Sequence, residues 1–265
     1  MKVKRSVSFY IYQVFNTIVL TLMALSCILP ILHVFAMSLS SSSAAMAGRV
    51  GFVPVEFSLK AYEYLISKKD FFRSVSISLA RVLVGTVFNM AIIAITAYPL
   101  SRSSRQFRAR TAYMAYFAVT MFIGGGLIPT YMVIKNLHLL DSFWVLILPS
   151  AMSIWNVIIM MNFIKGLPRA IEEAAFVDGA NPWQTFIRVI LPMSKPSLAS
   201  LLLFSMIGHW NAWFDGMFYM NNPNNYPMAT YLATQVINNN QTMTNMTPEQ
   251  LALLSSLSEK TVRSA

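Results

Sequence analysis

The 265-residue chain is apolar and basic: 11% of its residues are charged, and its formal net charge is +10. A soluble globular domain carries about 25% charged residues, so the composition argues against an ordinary soluble protein and favours a membrane protein. The single cysteine excludes an internal disulfide, and the three widely separated histidines offer no metal-ligand spacing. The basic residues lie between apolar runs, where lipid head groups explain them better than nucleic acid does.

The N-terminus combines a basic start, at Lys2, Lys4 and Arg5, with an uncharged stretch from Ser6 to Gly48. This arrangement is similar to a secretory signal peptide. The apolar region of a signal peptide is only about 7–15 residues long, however, and this stretch is much longer. We therefore predict an uncleaved first membrane span.

Five apolar windows are long enough to cross a membrane, because a spanning helix needs about 20 mainly apolar residues. They cover about residues 12–37, 73–101, 111–134, 142–164 and 196–219. Several contain proline or glycine, which a helical bundle tolerates when neighbouring groups satisfy the freed backbone. The sequence predicts an all-α integral membrane protein, with about five spans in a single transmembrane domain.

The basic residues also predict the orientation of the chain. The N-terminal tail and the connections after the second and fourth windows lie on one side in an alternating topology. Together they hold Lys2, Lys4, Arg5, Arg102, Arg105, Arg108, Arg110, Lys165, Arg169, Arg188 and Lys195. An excess of Lys and Arg marks the cytoplasmic side, so we expect a cytoplasmic N-terminus. The opposite loops hold some basic residues too, so the short loop after the second window carries most of the weight.

The region after the fifth window is polar, with runs of asparagine over residues 221–225 and 238–240. We expect a loop there. A helix is then predicted to begin near Thr247, which can cap it, with Pro248 at its first position and Gln250 completing a capping box.

Residues 165–195, between the fourth and fifth windows, are here called the knuckle, and they predict two short helices joined by a tight turn. Pro168 suits the first turn of the first helix, and Gly179 suits the left-handed position after its end. Asn181 can cap the second helix, with Pro182 at its first position. On spacing alone, a simple surface connector and a functional element are equally good interpretations.

The knuckle also contains an ordered motif: Glu-Ala-Ala, three residues, Gly, nine residues, an aliphatic residue, one residue and Leu-Pro. It is formed by residues 173–175, Gly179, Val189 and Leu191-Pro192, and the last pair is expected to end the second helix. The motif resembles the cytoplasmic signature of binding-protein-dependent ABC importer permeases, with valine in place of isoleucine at Val189.

Three further segments resemble the carbohydrate-importer branch of that family, in particular its LplC-like members and, more distantly, its maltose-permease (MalG-like) members. They are residues 124–131, 146–149 and 208–211. The resemblance implies the bundle of a type I ABC importer permease, in a bacterial inner membrane. Such relatives continue into a sixth span and a short cytoplasmic tail, and we expect that a corresponding segment is missing from the C-terminus here.

The resemblance implies a division of labour among subunits. A second, similar permease completes the path, two ABC ATPase subunits bind ATP and Mg, and an extracytoplasmic sugar-binding protein delivers an oligosaccharide, acidic in some relatives. This chain would bind no cofactor and would not be an enzyme, and it has no phosphate loop of the nucleotide-binding type. Residues 165–195 would form the coupling loop to the ATPase. Its candidate coupling residues are Glu172, Glu173, Ala174, Ala175, Asp178, Gly179, Leu191 and Pro192.

Polar and aromatic side chains at membrane depth are candidates for the sugar path, because polar residues in a span usually face the bundle interior or a cavity. The candidates are Asn89, Asn156, His209, Trp210, Asn211 and Trp213. Two structural roles are open for the same residues: tryptophan often lies at a membrane interface, and asparagine often joins helices. Asp215 is interpreted as an interfacial acid.

Two other classes of function are weighed against the importer. A self-sufficient secondary carrier or channel would show inverted repeats or intramembrane charges, and neither is evident in the sequence. A membrane-embedded enzyme would need a convergent catalytic set within the spans, and no such set is apparent.

Overall fold

The computed structural model describes residues 7–244, with side chains over residues 8–237. The described residues form helices and connecting turns without any strand, as the composition predicts. They fall into two compact units: residues 7–68 with residues 240–244, and residues 69–239.

The first unit is built on α1 (Val7–Ser38), followed by the short helices α2 (Ser42–Met46) and α3 (Lys60–Ser67). The most apolar stretch of α1 buries none of its residues within the chain, which suits a helix surrounded by lipid or by another subunit. Ser41 caps α2, because its side chain accepts the N–H of Ala44 at 3.2 Å.

The second unit is organised around α4 (Lys69–Ser101), a 33-residue helix that packs against α7 (Ile154–Lys165) and α11 (Lys195–Asn211). Their facing side chains, together with Ile190 from the segment before α11, form the main apolar core. Its buried members are Ile93, Ala97, Leu100, Val157, Met160, Met161, Ile164, Ile190 and Leu201.

Two helices among the described residues, α1 and α4, are long and apolar enough to cross a membrane on their own. Three further candidates are bent pairs: α5 (Arg110–Phe122) with α6 (Leu127–Asn136) at 117°, residues 143–150 with α7 at 52°, and residues 182–193 with α11 at 77°. By length and composition the described chain therefore has up to five spans.

The third predicted window, residues 111–134, is not one continuous helix. The run of glycines between α5 and α6 interrupts it, and Gly126 has φ +79°, a left-handed conformation that glycine adopts without steric cost. The sequence predicted that one span would tolerate these glycines, whereas the chain turns by 117° between α5 and α6.

The region after α11 also differs from expectation. After α12 (Phe214–Tyr219), the predicted loop is instead helical from Met228, in α13 (Met228–Thr244), and this helix includes the asparagines at 238–240. Alanine and leucine in its first turns favour a helix, and the buried Thr230 hydroxyl anchors it by donating to the Trp213 carbonyl at 2.8 Å. The helix start predicted at Thr247 lies outside the described residues.

Candidate functional site

The first helix of the knuckle is α8 (Arg169–Val177), and its end is fixed by a local backbone motif. Gly179 has φ +80° and donates its N–H to the Phe176 carbonyl at 3.1 Å, while Ala180 donates to the Ala175 carbonyl at 2.9 Å. These are the two hydrogen bonds of a Schellman ending, so the role predicted for Gly179 is confirmed. Pro168 stands one position earlier than predicted, as the extended residue before the helix.

The second helix, α9 (Pro182–Thr185), begins with a complete capping box. The Asn181 side chain accepts the N–H of Gln184 at 2.8 Å, and the Gln184 side chain accepts the N–H of Asn181 at 3.0 Å. The caps that the sequence predicts at Asn181 and Pro182 are therefore confirmed.

The Leu191-Pro192 pair does not end this second helix where the sequence predicted. A π-helical turn, Phe186–Ile190, follows α9, and α10 (Leu191–Met193) continues it until the chain bends at Ser194. Pro192 has no N–H to donate to the carbonyl four residues earlier. The backbone hydrogen bonds therefore change spacing, and the N–H of Leu191 donates to the Phe186 carbonyl, five residues earlier.

The knuckle is attached to the end of α4 by polar and aromatic contacts. Arg102 forms an ion pair with Glu172, and its guanidinium lies over the Tyr98 ring, 4.2 Å from the ring centre. The Tyr98 hydroxyl donates to the Pro182 carbonyl at 3.2 Å, and its ring packs on Phe186 at 4.9 Å between centroids. Both knuckle helices are thus tied to one helix end.

The rest of the knuckle surface is exposed and mixes apolar with acidic groups. Val177 and Trp183 are 86% and 57% exposed, and Asp178 is exposed as well. Glu173 is also exposed, and it lies in the same cavity lining as Arg102 and Glu172. Of the predicted coupling residues, Glu172 is turned toward Arg102 instead, while Ala174, Gly179 and Pro192 are exposed and Ala175 and Leu191 are half-buried.

Two of the sugar-path candidates, Asn89 and His209, are buried where α4 meets α11. The Asn89 amide is oriented so that both its nitrogen and its oxygen have hydrogen-bond partners. Its nitrogen then donates to the carbonyls of Gly85 and Ala151 at 3.0 and 3.1 Å. Its oxygen accepts from His209 Nε2 at 3.2 Å and from the Ser205 hydroxyl at 3.1 Å. This buried arrangement joins α4 to α11, so it matches the structural role that the sequence left open.

The other candidates are more accessible. Trp210, Asn211 and Trp213 are exposed, and Asn156 is half-buried in the first turn of α7. An open cavity of 390 Å³ lies at the end of α11, and it is lined by Gly208, Asn211, Ala212, Trp213, Phe214 and Asp215.

The structure also contains a buried ion pair that the sequence did not predict. Arg81, only 1% exposed within α4, is paired with Asp215 and donates to the Ala212 carbonyl at 2.9 Å. That carbonyl lies at the break between α11 and α12, while the Asp215 carboxylate also accepts the N–H of Gly216 at 2.9 Å. The expected role of Asp215 as an interfacial acid therefore leaves out its contact with Arg81. The signal available in the sequence was Arg81 in the interior of the second apolar window and Asp215 within the fifth.

Comparison with known proteins identifies the family. The chain matches the family model "binding-protein-dependent transport system inner membrane component" over residues 5–257. The chain belongs to this family. It is 36% identical over 218 residues to the polygalacturonan/rhamnogalacturonan transport system permease protein YtcP of Bacillus subtilis, covering 82% of this chain and 76% of that protein.

Two further relatives agree with this membership. Protein LplC of Bacillus subtilis is 36% identical over 247 residues, covering 91% of this chain and 83% of that protein. A solved bacterial ABC transporter involved in the import of the acidic polysaccharide alginate has a chain with a TM-score of 0.83 and 30% identity. That match covers 96% of this chain and 89% of the solved chain.

The family resemblance drawn from the knuckle motif is thereby confirmed, as is the all-α fold of a type I ABC importer permease. The protein is a multi-pass membrane protein of the sugar ABC permeases. It is a transport permease, and its family is not a family of enzymes.

Proposed function

We propose that this chain is one permease subunit of an ATP-driven oligosaccharide importer and that it forms half of the translocation path. A second, similar permease would form the other half, two ABC ATPase subunits would bind ATP and Mg, and an extracytoplasmic protein would deliver the sugar. The family membership supports this assembly in general terms. The chain itself would bind no cofactor.

The proposed location is a bacterial inner membrane, with the N-terminus and the knuckle on the cytoplasmic side. The excess of basic residues in the N-terminal tail and in the two connections named above supports this orientation.

The observation that carries the proposal is the exposed face of the knuckle. A rigid pair of capped helices presents Val177 and Trp183 to solvent, with Glu173 and Asp178 beside them. Exposed apolar groups rimmed by charge are typical of a protein contact, and we propose that an ATPase subunit binds this face. The ion pair of Glu172 with Arg102 would then transmit ATPase movement to α4, so we assign Glu172 a positioning role.

The proposed substrate is an acidic oligosaccharide. YtcP is named for polygalacturonan and rhamnogalacturonan, and the solved relative imports alginate. Within this chain, the exposed Trp210, Asn211 and Trp213 near the end of α11 are the best candidates for sugar contact, because aromatic faces and amides suit sugar rings and hydroxyls. Asn89 and His209 are instead assigned to holding α4 against α11.

The test is the effect of Glu173→Lys on sugar-stimulated ATP hydrolysis by the complete transporter in liposomes. Glu173 is exposed on the knuckle, so charge reversal should abolish the stimulation without unfolding the chain. Glu173 also lines the basic cavity beside α8, whereas Asp178 is exposed and does not line it, so Asp178→Lys should abolish the stimulation too if docking is the cause. Glu63→Lys is the matched control, because Glu63 is also an exposed acid on a short helix and is not part of the knuckle segment 165–195.

The rival function is a self-sufficient secondary carrier, and the paired charges Arg81 and Asp215 are the feature that favours it. A carrier would take up sugar into liposomes without ATP, and Glu173→Lys would not change its rate of uptake. That outcome would overturn the importer proposal.

A further inference from the structure

A second cavity, of 540 Å³, opens beside the knuckle and is strongly basic. It lies where α4 and α7 end and where α5 and α8 begin. Its charged lining residues are Arg102, Arg105, Arg110, Lys165, Arg169, Glu172 and Glu173, so positive charges exceed negative charges by three. Such a volume is in the range of small-molecule and head-group sites.

The positive excess is not neutralised by the chain itself. Arg102 is paired with Glu172, and the Arg110 Nε donates to the Leu100 carbonyl at 2.9 Å. Within residues 8–237, the remaining three cations, Arg105, Lys165 and Arg169, form no ion pair with a carboxylate.

The same cavity wall contains one unsatisfied donor and one unsatisfied acceptor. Nη2 of Arg102 and Oε1 of Glu172 are both buried and have no hydrogen-bond partner. Buried polar atoms are normally satisfied, so a group from outside the chain that offers both an acceptor oxygen and a hydroxyl would be stabilised at this wall. A phosphate group suits the lining best, because its several oxygens can accept from cations that arrive from separate elements at once.

We propose that this cavity binds a phosphate group, with Arg105, Lys165 and Arg169 as its principal ligands. The group comes either from the head group of an anionic phospholipid or from a soluble phosphate compound. Helix ends and unpaired basic residues meet at this cavity, which is the arrangement that attracts anionic head groups. Because Arg102 and Glu172 also line it, an occupant would touch the ion pair that fixes the knuckle to α4.

The experiment compares two charge-matched triple variants of the full chain in detergent micelles. The cavity variant is Arg105→Gln/Lys165→Gln/Arg169→Gln. The control is Arg108→Gln/Arg188→Gln/Lys195→Gln, which removes three exposed basic residues that do not line the cavity. In the lipid arm, native mass spectrometry measures bound phosphatidylglycerol, with phosphatidylcholine for comparison. In the soluble arm, calorimetry measures the binding of inorganic phosphate.

The expected result is that the cavity variant loses affinity for at least one of the two probes by about tenfold or more, since each basic residue near an anionic surface contributes several-fold. The control should stay within about twofold of the native chain. Loss for phosphatidylglycerol alone identifies a lipid head group, and loss for inorganic phosphate identifies a soluble compound. If the native chain binds neither probe, or if both variants weaken equally, the proposal is wrong.

A single substitution keeps the test available should the triple variant fail to fold. Arg105 is exposed and lies in the loop between α4 and α5, so Arg105→Gln should leave the fold intact. It should weaken the same probe several-fold, and Arg108→Gln, three residues away, should not. Equal behaviour of these two single variants would also overturn the proposal.

Discussion

The knuckle and the α4–α11 contact are stabilised in opposite ways. In the knuckle, the helix ends are fixed by hydrogen bonds between residues three to five positions apart, as at Gly179 and Asn181. Where α4 meets α11 and α12, polar groups more than a hundred residues apart satisfy one another, as in the contacts of Arg81 with Asp215 in α12 and of Asn89 with Ser205 in α11.

This difference gives the knuckle and the buried polar contacts of α4 different mechanical properties. Local caps keep a short element rigid in water even when its outer face has no partner in the chain. A buried polar layer depends instead on complete pairing, because an unpaired charge or amide in an apolar setting is costly. Substitutions should therefore be more damaging in the α4–α11 contact than in the knuckle.

The largest effect is expected from breaking the Arg81–Asp215 pair. Asp215→Ala leaves the buried Arg81 guanidinium without its counter-ion, and removing one partner of a buried pair costs about 3–5 kcal/mol. The free energy of unfolding, measured by denaturant titration in mixed micelles, should fall by about that amount.

The double variant Arg81→Met/Asp215→Leu is the control for this pair. It removes both charges and keeps apolar volume, so it should recover most of the lost stability. A double variant as unstable as Asp215→Ala would mean that the buried, unpaired charge of Arg81 is not what destabilises the single variant.

A smaller effect is expected where α4 and α11 approach most closely. A Cβ atom added at Gly85 would lie 2.6 Å from Nε2 of the buried His209, so Gly85→Ala must displace that ring. Overpacking of this kind costs about 1–3 kcal/mol of unfolding free energy. Gly208→Ala, on α11 with nothing within 4 Å of the added atom, should be neutral or slightly stabilising in the same titration.

In the knuckle, Gly179→Ala should have a still smaller effect. The φ of +80° at Gly179 strains any residue with a Cβ, at a cost of about 1–2 kcal/mol. Since the hydrogen bonds that end α8 are local, the lost stability should appear as faster hydrogen exchange at the backbone amides of residues 179 and 180, with exchange in α4 unchanged. Gly179→Asn should be milder, because asparagine tolerates this conformation. If these amides exchange at equal rates in Gly179→Ala and Gly179→Asn, the positive φ at position 179 is not what limits the choice of residue there.

The same contrast explains which features could be predicted from sequence. The knuckle caps and the apolar windows depend on neighbouring residues, and the predicted caps at Gly179 and Asn181 are confirmed. The Arg81–Asp215 pair joins residues 134 positions apart, and no local pattern specifies it. The 117° bend after α5 likewise depends on what surrounds the glycines, because a glycine run permits a turn but does not fix its angle.

The smallest effect is expected at the exposed ion pair of Arg49 with Glu56, in the connection between α2 and α3. Hydrogen bonding from the Ser41 hydroxyl, aided by the charge of Arg49, lowers the pKa of Glu56. A lowered folded-state pKa means that this contribution to stability is present above the ordinary carboxyl pKa and is lost as the pH falls through the lowered value.

Carbon-13 NMR titration of the Glu56 carboxyl should therefore show a midpoint below that of an unstructured glutamate. Ser41→Ala should raise this midpoint more than Arg49→Gln does, because the hydrogen bond is the larger cause. If Arg49→Gln raises it more, charge outweighs hydrogen bonding even in water, and the distinction drawn between exposed and buried pairs fails at this site.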